Sequence, residues 1–371
     1  MNLLQINSYT ISSELYKNLY KKLDGKKINQ CIFVPVQNES DKGNNYIELK
    51  NGNFIYKKTF NTLDRVLYFT KINKSYKALK NNTDVSRFDL SHAHSLFVNG
   101  GIANELYKEY NINFITAVRN TDLNLFFGKM IHLRKKGVEI LKNSSKIIFI
   151  SPAYKKRLIN DYIPKELKSE IEEKSVVIPN GINNYWLENI NLNKKKNNNQ
   201  IRLIYAGRID KNKNVLNICK VVQNLNEYGH KANLKIIGKG PEKNNIEEQM
   251  NGFDYISFLD YMSKEELLNN YRNSDIFIMP SYKETFGLVY IESMSQGLPI
   301  IYTKNEGVYG YFKERTVGFS VDPDDIIDMM DKIKIIFNNY NRISENAVQE
   351  AQKFSWNKVS DQYIEIYSEL K

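Results

Sequence analysis

The chain has 371 residues, of which 42% are hydrophobic and 26% are charged, and its formal net charge is +11. This composition excludes a disordered chain, and the length suits two domains of ordinary size. No apolar run is long enough to span a membrane, and the first ten residues, MNLLQINSYT, lack the pattern of a secretion signal. The two cysteines, Cys31 and Cys219, lie far apart and predict buried, reduced thiols. We therefore expect a cytoplasmic protein.

The excess positive charge lies entirely in the first half of the chain. Residues 1–190 contain 29 Lys and Arg against 18 Asp and Glu, whereas residues 191–371 contain 24 of each. A basic half indicates an acidic partner, such as an anionic membrane surface, a phosphorylated substrate or nucleic acid, or simply a soluble surface. The sequence contains no recognised nucleic-acid motif, so we expect no nucleic-acid partner.

Short apolar runs alternate with amphipathic stretches through the first half, which predicts a mostly parallel α/β sheet. The predicted strands are Leu3–Ile6, Cys31–Val36, Val66–Phe69, Leu90–His94, Phe114–Val118 and Lys146–Ile150. The predicted helices are Ser12–Leu23, Ala103–Tyr110 and Leu133–Leu141. The polar segment Asn189–Gln200 then predicts a linker.

The same alternation restarts after this segment. The predicted strands are Leu203–Ala206, Leu234–Ile237, Tyr255–Phe258, Ile276–Met279 and Pro299–Tyr302. The predicted helices are Val215–Tyr228, Asn244–Met250, Lys264–Asn273, Gly287–Gln296, Asp324–Phe337 and Trp356–Leu370. We expect two doubly wound, Rossmann-like domains facing a cleft, over residues 1–188 and 201–355, with the linker at 189–200 and a last helix in 356–371.

The strongest motif lies after the predicted strand Ile276–Met279. Glu284 follows the strand in a short loop, a helix is expected to start at Thr285-Phe286-Gly287, and Glu292 lies about two turns further on. The amides of Phe286, Gly287 and Leu288 would face outward and bind an anion through the helix dipole. Two carboxylates beside an anion site suit a sugar nucleotide, whose hydroxyls donate hydrogen bonds, although acidic residues near a helix start are also common for structural reasons.

Three further elements follow predicted strands in the second half. Gly207-Arg208 follows the first of them and Lys213 opens the next helix, which places two cations where open α/β sheets bind ligands. An arginine can grip a diphosphate bidentately and a lysine adds a point charge. The segment Gly238–Glu242 (GKGPE) and the strand and turn Tyr255–Tyr261 (YISFLDY) belong to the same edge.

In this order, the motifs AGR…K, GKGPE, ETFGL…E and GLPII resemble the retaining glycosyltransferases of family 4, which have the GT-B fold; the resemblance runs from Ile201 to about Trp356. It implies that the last helix crosses back to the first domain. The implied donor-site residues are Gly207, Arg208, Lys213, Phe258, Leu259, Glu284, Thr285, Phe286, Gly287, Leu288 and Glu292. Arg208 and Lys213 would hold the donor diphosphate, Glu284 the sugar and Glu292 the ribose, while Phe258 and Leu259 would contact the base. Asn214 stands where the family more often has glycine.

The first half matches the family less closely. His92 and His94 resemble its H-x-H element, and the resemblance implies a catalytic position for His94 near the donor sugar and the acceptor. The glycine-rich loop of the family is replaced by a segment that includes Ser8 and Tyr9, and a later histidine position by Arg119 and Asn120. We expect these four residues to bind the acceptor, although Arg119 could also form an ion pair with Asp122.

We expect no metal site and no cofactor beyond the nucleotide-sugar substrate. The run Asp322-Pro323-Asp324-Asp325 imitates a metal-binding D-x-D motif, but its place before a helical pattern predicts a helix N-cap. Catalysis would then depend on positioning and on stabilising the departing diphosphate.

The family resemblance implies transfer of a sugar, with retention, from a nucleoside-diphosphate donor to a glycan or lipid-diphosphate-linked acceptor. A setting in cell-surface polysaccharide synthesis is expected, with peripheral contact between the basic half and the inner face of an anionic membrane. The alternatives are a sugar-nucleotide epimerase or phosphorylase of the same fold and a non-catalytic nucleic-acid-binding protein.

Overall fold

The computed structural model describes residues 1–65, 67–197 and 199–370. The chain divides into two compact units. The first unit comprises Met1–Ile150, Tyr154–Asn180 and Trp356–Lys371, and the second comprises Ser151–Ala153 and Gly181–Ser355. Each unit is built on a parallel sheet flanked by helices, which is the α/β architecture predicted from the sequence.

The first unit contains a seven-stranded sheet in the order β3-β2-β1-β4-β5-β6-β7. Its strands are β1 (Asn2–Ile6), β2 (Asn29–Val36), β3 (Gly52–Lys58), β4 (Leu90–Ala93), β5 (Phe114–Val118), β6 (Lys146–Phe149) and β7 (Ser175–Val177). Neighbouring strands pair in parallel, with Leu3 of β1 opposite both Gln30 and Leu90. The carboxyl ends of all seven strands therefore lie at one edge of the sheet.

Helices connect the strands of the first unit and bury both faces of its sheet. They span Leu15–Gly25, Tyr68–Lys80, Val98–Tyr110, Arg134–Asn143, Pro152–Tyr162, Lys168–Lys174 and Trp356–Glu369, with a π-helical segment at Asp122–Phe127. The last helix buries Trp356, Val359 and Tyr363 in a core cluster that also contains Leu3 and Leu90 of the sheet. The C-terminal helix is thus part of the first unit.

Two predictions for this unit are wrong. The apolar run predicted as the strand Val66–Phe69 instead leads into the helix that begins at Tyr68, and Val66 lies outside the described residues. The helix forms because Tyr68, Ile72 and Tyr76 are buried at helical spacing. Strand β3, which was not predicted, is a half-buried edge strand with a weak apolar pattern.

The second unit contains a six-stranded parallel sheet in the order β10-β9-β8-β11-β12-β13. Its strands are β8 (Ile201–Ala206), β9 (Ala232–Ile237), β10 (Ile256–Leu259), β11 (Ile276–Met279), β12 (Ile300–Thr303) and β13 (Gly318–Val321). Its helices are Asn184–Glu188, Val215–Glu227, Lys243–Gln249, Lys264–Arg272, Leu288–Ser295, Ile326–Asn338 and Tyr340–Ala351. The order reverses at β8, which makes the loops after β8 and β11 neighbours and a place for ligands.

The segment predicted as a linker, 189–200, forms hydrogen bonds with the second unit, although several of its side chains, such as that of Leu192, are exposed. The backbone amide of Asn191 donates to the carbonyl of Ser295 at 3.1 Å, and that of Asn197 donates to the Asp275 carboxylate at 3.1 Å. These bonds satisfy polar backbone groups of a segment that has few apolar residues. The low hydrophobicity of the segment therefore does not mean that it lacks contacts with the second unit.

Through residues 1–65, 67–197 and 199–370, no helix combines the length and the apolar character needed to cross a membrane.

Candidate functional site

A lysine and a glutamate meet at the carboxyl edge of the second sheet. Strands β8 and β11 are neighbours, so the loops that follow them converge. Lys213, from the loop after β8, donates through Nζ to Oε2 of Glu284, from the loop after β11, at 2.6 Å. Both side chains are largely buried, which strengthens their attraction relative to a surface pair.

Asn212 ties the same two loops together beside this ion pair. Its backbone carbonyl accepts from the Tyr282 amide at 2.8 Å. Its side-chain amide donates to the Lys283 carbonyl at 2.9 Å, and its Oδ1 accepts from the Lys283 amide at 3.1 Å. Sequence reasoning missed Asn212, whose only signal was its place one residue before Lys213.

Asn214 takes the left-handed conformation, with a φ of 57°, and directly precedes the helix Val215–Glu227. This conformation is favoured by glycine and tolerated by asparagine, which explains why this position can hold either. Its side chain donates to the Pro323 carbonyl at 2.6 Å and to the Pro280 carbonyl at 3.3 Å. The asparagine therefore adopts the left-handed conformation that a glycine favours, and its side chain adds two hydrogen bonds that a glycine could not make.

Glu284 is held by the chain around it. Its backbone amide donates to Oε2 of Glu306 at 3.0 Å, and its carbonyl accepts from the Gly307 amide at 2.8 Å. Its Oε1 accepts from the amide of Thr285 at 3.0 Å. A Cβ at Gly307 would lie 3.0 Å from Cγ of Glu284, so the loop after β12 closely supports this glutamate. Glu306 and Gly307 were not identified from the sequence, because they are distant from Glu284 in the chain.

The helix behind Glu284 begins at Leu288, directly after the predicted start at Thr285-Phe286-Gly287. Gly287 has a φ of 82°, which interrupts the helical conformation before Leu288. A Cβ at Gly287 would lie 2.5 Å from the ring of Tyr290, so a side chain does not fit there. Phe286 is buried, and the outward amides at this helix start belong to Leu288 and the residue after it. Gly287 occupies the N-cap position and has no side chain that could cap this helix start.

Gly238 and Gly240 bring the loop after β9 against the loop after β8. A Cβ at Gly238 would lie 1.9 Å from the carbonyl oxygen of Gly207, and one at Gly240 would lie 2.0 Å from that of Ile209. The Gly238 amide also donates to the carbonyl of Leu259 at 3.0 Å. The GKG segment is therefore required for the close backbone contact that joins three adjacent loops.

The remaining predicted donor residues lie in the loop after β8, on β10 and in the helix Leu288–Ser295, and they differ in exposure. The Arg208 side chain is 70% exposed and lies 3.1 Å from the Asp210 carboxylate, measured from Nε to Oδ2. Phe258 and Leu259 are half-buried on β10. Glu292 lies within the helix Leu288–Ser295, where burial raises the pKa of its carboxyl to about 7 against the opposing effect of Lys264.

The acidic run before the helix Ile326–Asn338 acts as a helix cap. The Asp325 carboxylate accepts from the Asp328 amide at 2.8 Å, and the Asp324 carboxylate accepts from the Tyr282 hydroxyl at 2.5 Å. Among the described residues, no group of three or more histidine, cysteine, aspartate or glutamate side chains is arranged to hold a metal ion.

In the first unit, the structure buries His94 completely. Its Nε2 lies 2.7 Å from Oε1 of Gln5, and its ring centroid is 4.0 Å from that of His92. Burial, together with the neighbouring His92 and Arg119, holds the pKa of His94 well below its usual value. A catalytic group must contact substrate, and the described position of His94 offers no exposed surface for such a contact.

The four predicted acceptor residues gather around the carboxyl ends of β1 and β5. The Ser8 amide donates to the side chain of Asn99 at 3.2 Å, and burial raises the pKa of Tyr9 to about 12. Arg119 donates through Nε to the carbonyl of His94 at 3.1 Å, and Asn120 is exposed.

The predicted partner of Arg119, Asp122, has a different main role. Its carboxylate accepts from the amides of Leu96 and Phe97, each at 3.1 Å, and from the Arg119 amide at 2.8 Å. Leu96 and Phe97 immediately precede the helix Val98–Tyr110. Asp122 therefore places a negative charge at the positive end of this helix, where an external anion could otherwise bind.

The second unit matches a known family of enzymes. Residues 188–354 match the model of glycosyl transferases, group 1. The chain is 26% identical over 301 residues to an uncharacterised glycosyltransferase, MJ1178, of Methanocaldococcus jannaschii, covering 80% of each protein. It is 31% identical over 160 residues to the sulfoquinovosyl transferase SQD2 of Arabidopsis thaliana, a match that covers 42% of this chain but only 30% of SQD2. It is 28% identical over 230 residues to the capsular polysaccharide biosynthesis glycosyltransferase CapM of Staphylococcus aureus, covering 59% of this chain and 58% of CapM.

Solved structures agree with the fold. A sucrose-phosphate synthase from Thermosynechococcus elongatus has a TM-score of 0.75 at 17% identity, covering 100% of this chain and 99% of that one. The lipopolysaccharide outer core galactosyltransferase WaaB has a TM-score of 0.76 at 15% identity, covering 100% of both chains.

The two parallel sheets define the protein as a GT-B-type α/β protein. With the family model and the named relatives, this architecture identifies the chain as a glycosyltransferase.

Proposed function

We propose that the chain transfers a sugar, with retention, from a nucleoside-diphosphate donor bound by the second unit to a glycan or lipid-linked acceptor bound by the first. The observation that carries this proposal is the Lys213–Glu284 ion pair at the edge where the sheet order reverses. It sets a cation and a hydrogen-bond acceptor within 2.6 Å of each other beside a helix start that has no side-chain cap.

Each part of a donor has a suitable partner in this arrangement. The diphosphate takes Lys213, Arg208 and the amides at the Leu288 helix start, which together oppose its negative charge. The sugar hydroxyls take the Glu284 carboxylate, and the ribose takes Glu292. When the diphosphate binds, it competes with Glu284 for Lys213, which leaves the glutamate available to accept from the sugar.

The proposal requires no metal ion or cofactor, since the cations and the helix start would stabilise the departing diphosphate. Turnover in EDTA tests this point, and a complete loss of activity restored by Mg²⁺ or Mn²⁺ would contradict it.

The acceptor assignment extends the same proposal to Ser8, Tyr9, Arg119 and Asn120 of the first unit. His94 acts there as a positioning residue, because its carbonyl accepts from Nε of Arg119. A role in cell-surface polysaccharide assembly is supported by the similarity to CapM, whose name describes capsular polysaccharide biosynthesis.

Calorimetry with UDP, GDP and ADP tests the donor site directly, and Lys213→Met should weaken binding of the preferred nucleotide at least tenfold because it removes a largely buried charge. Lys220→Met is the matched control, since Lys220 is exposed elsewhere in the second unit. Unchanged affinity in Lys213→Met would refute the site.

An epimerase of the same fold is the second candidate, and the acceptor distinguishes it. The purified protein is incubated with the preferred nucleotide sugar alone and then with candidate acceptors. Conversion of the donor sugar without any acceptor would support the epimerase, whereas transfer that requires an acceptor would support the glycosyltransferase.

A further inference from the structure

Two segments of the first unit expose large apolar side chains to solvent. The first segment, residues 59–71, follows β3 and exposes Leu63, Leu67 and Phe69, of which Leu63 is 76% and Phe69 is 64% exposed. The second segment, residues 122–136, follows β5 and exposes Leu125 and Ile131, and Ile131 is 65% exposed. Exposing these side chains to water is unfavourable, so the segments indicate a surface that contacts something apolar.

The two segments are in contact with each other. Tyr68 of the first segment is buried, and its ring lies edge-on to that of Phe126 at a centroid distance of 6.1 Å. Its hydroxyl donates to the carbonyl of Phe97 at 2.9 Å, and Phe97 stacks on Phe126 at 4.5 Å. The exposed Leu67 and Phe69 flank Tyr68 in the chain, and Leu125 precedes Phe126. The buried Tyr68 and Phe97 thus join the two segments, and we call their exposed apolar residues together the apolar ridge: Leu63, Leu67, Phe69, Leu125 and Ile131.

Positive charge surrounds the apolar ridge. The first segment, residues 59–71, contains two lysine or arginine residues and one acidic residue, Asp64, and the second segment, residues 122–136, contains four and one, the buried Asp122. Asp64 is buried and pairs with Lys74 at 2.9 Å, so its charge is neutralised within the protein. Lys129 and Lys135 are exposed in the second segment. Exposed apolar side chains with basic residues around them are the combination that binds the interface of an anionic bilayer.

We propose that the apolar ridge and its lysines dock the first unit on the surface of an anionic lipid bilayer. The side chains of Leu67, Phe69 and Ile131 would enter the headgroup region, while Lys129 and Lys135 would contact lipid phosphates. A protein partner or a second copy of the chain would satisfy the apolar residues, but the excess of six basic over two acidic residues in the two segments, with both acidic residues buried, favours the bilayer.

The apolar ridge also lies beside the proposed acceptor residues. The second segment begins at Asp122, immediately after Arg119 and Asn120, and both segments follow strands whose carboxyl ends share one edge of the sheet. Docking there would bring a lipid-linked acceptor to the protein at the place where its sugar is needed. This part depends on the proposed function, whereas bilayer binding itself does not depend on transfer.

Vesicle co-sedimentation tests the proposal, with neutral phosphatidylcholine vesicles and vesicles that contain phosphatidylglycerol at low and high salt. The wild-type chain should bind the anionic vesicles at low salt and bind neutral vesicles weakly. Leu67→Ser combined with Phe69→Ser should reduce the binding constant at least tenfold, because two apolar side chains leave the interface. Lys129→Gln combined with Lys135→Gln should reduce it about fivefold for each lysine at low salt, and less at high salt.

Matched controls come from the second unit. Leu192 and Ile327 are 68% and 56% exposed, so Leu192→Ser combined with Ile327→Ser removes comparable apolar surface away from the apolar ridge. Lys220→Gln combined with Lys231→Gln removes two exposed charges in the same way. Both controls should bind vesicles like the wild type.

The results separate the possible occupants of the surface. Equal binding to neutral and anionic vesicles, or equal loss in the variants and their controls, would overturn the proposal. Concentration-dependent dimerisation that the Leu67→Ser, Phe69→Ser variant abolishes, without vesicle binding by the wild type, would overturn it in favour of a second copy. Nucleotide affinity, measured in parallel, shows whether the donor site fails separately.

Discussion

At the carboxyl edge of the first sheet, the Asp122 carboxylate accepts from the amides of Leu96 and Phe97 just before a helix and from the Arg119 amide, whereas at the same edge of the second sheet the helix from Leu288 begins behind Gly287, which has no side chain to cap it. At the start of the helix Val98–Tyr110, backbone amides already donate to a carboxylate of the protein itself, that of Asp122. The second helix start has amides that an external anion can use. This difference is why we propose the anion site at the second helix start and not at the first.

The titratable side chains near the two sheet edges also differ in the contacts that they make. Lys213 and Glu284 are largely buried and form an ion pair. In the proposed mechanism, the donor diphosphate would separate this pair by binding Lys213. By contrast, His92 and His94 are fully buried, and Nε2 of His92, Nδ1 of His94 and Nδ2 of Asn99 have no hydrogen-bond partner among the described residues. We therefore place the proposed donor site at the second edge, whereas at the first edge the buried His94 supports the proposed acceptor residue Arg119 through its carbonyl.

The largest expected effect is on catalysis at the second edge. Glu284→Gln should reduce kcat roughly ten- to hundredfold, because a charged hydrogen-bond partner contributes about 1.5–3 kcal/mol. Nucleoside diphosphate should still bind, as calorimetry can show beside initial rates at saturating donor. Glu248→Gln, at an exposed position of the same unit, is the control. A kcat close to that of the wild type would show that Glu284 does not contact the reacting sugar.

The next effect concerns the stability of the first edge. Asp122→Asn replaces a carboxylate that accepts three amides with a group that has one acceptor oxygen and an NH₂ facing donors. We expect the free energy of unfolding of the first unit to fall by about 1.5–3 kcal/mol, measured by denaturant titration with hydrogen exchange of β5 amides.

Nucleotide affinity should be unchanged in Asp122→Asn, because Asp122 belongs to the first unit. The exposed Asp161→Asn is the control for stability. If Asp122→Asn instead lowers nucleotide affinity and leaves unfolding unaffected, the proposed division between the two edges is wrong.

A smaller effect should depend on pH at Glu292. Burial raises the pKa of this carboxyl to about 7, so it becomes a stronger acceptor for ribose hydroxyls as the pH rises through that value. Glu292→Gln should weaken nucleoside-diphosphate binding about tenfold at pH 8. The wild-type affinity should also fall more steeply than that of the variant between pH 8 and pH 6.

The nucleotide phosphates titrate in the same pH range, but they do so in both proteins, so the difference between the two calorimetric profiles isolates Glu292. Parallel profiles would mean that this carboxylate does not contact the nucleotide.

The smallest effect should come from Asn212, which touches no part of the proposed ligand. Asn212→Ala removes the two side-chain bonds to Lys283 and should raise the donor KM about fivefold, since one net hydrogen bond contributes about 1 kcal/mol. The exposed Asn251→Ala is the control, and initial rates over a range of donor concentrations measure both. A change in kcat alone would indicate that the two loops act on chemistry rather than on binding.

The strands and helices that were predicted correctly are mostly those whose own residues form a clear apolar pattern. The strand Ile276–Met279 and the strand Phe114–Val118 were predicted with their observed bounds, because each is a short apolar run between polar turns. Strand β13 and the helix Tyr340–Ala351 were not predicted. Strand β13 (GFSV) begins with glycine and includes a serine, so its own residues give a weaker strand signal than the apolar run of Ile276–Met279.

The candidate site was predictable only where its residues form a motif. Lys213, Glu284 and Glu292 belong to spacings that the sequence displays, and the structure brings Lys213 and Glu284 into contact. Glu306 and Gly307 support Glu284 from a separate loop, and no spacing in the sequence connects them. Likewise, a histidine in the sequence does not reveal whether the fold buries it, as His94 shows.

The glycines of the GKG segment determine how this enzyme could be engineered. Gly238 and Gly240 lie so close to the carbonyls of Gly207 and Ile209 that a side chain at either glycine would displace the loop after β8. Loops grafted from a relative to change the nucleotide preference would therefore have to be exchanged as a matched set, with the segment after β8 transplanted together with the segment after β9. The same constraint means that substituting Gly238 or Gly240 alone would disturb the neighbouring backbone rather than create a new specificity.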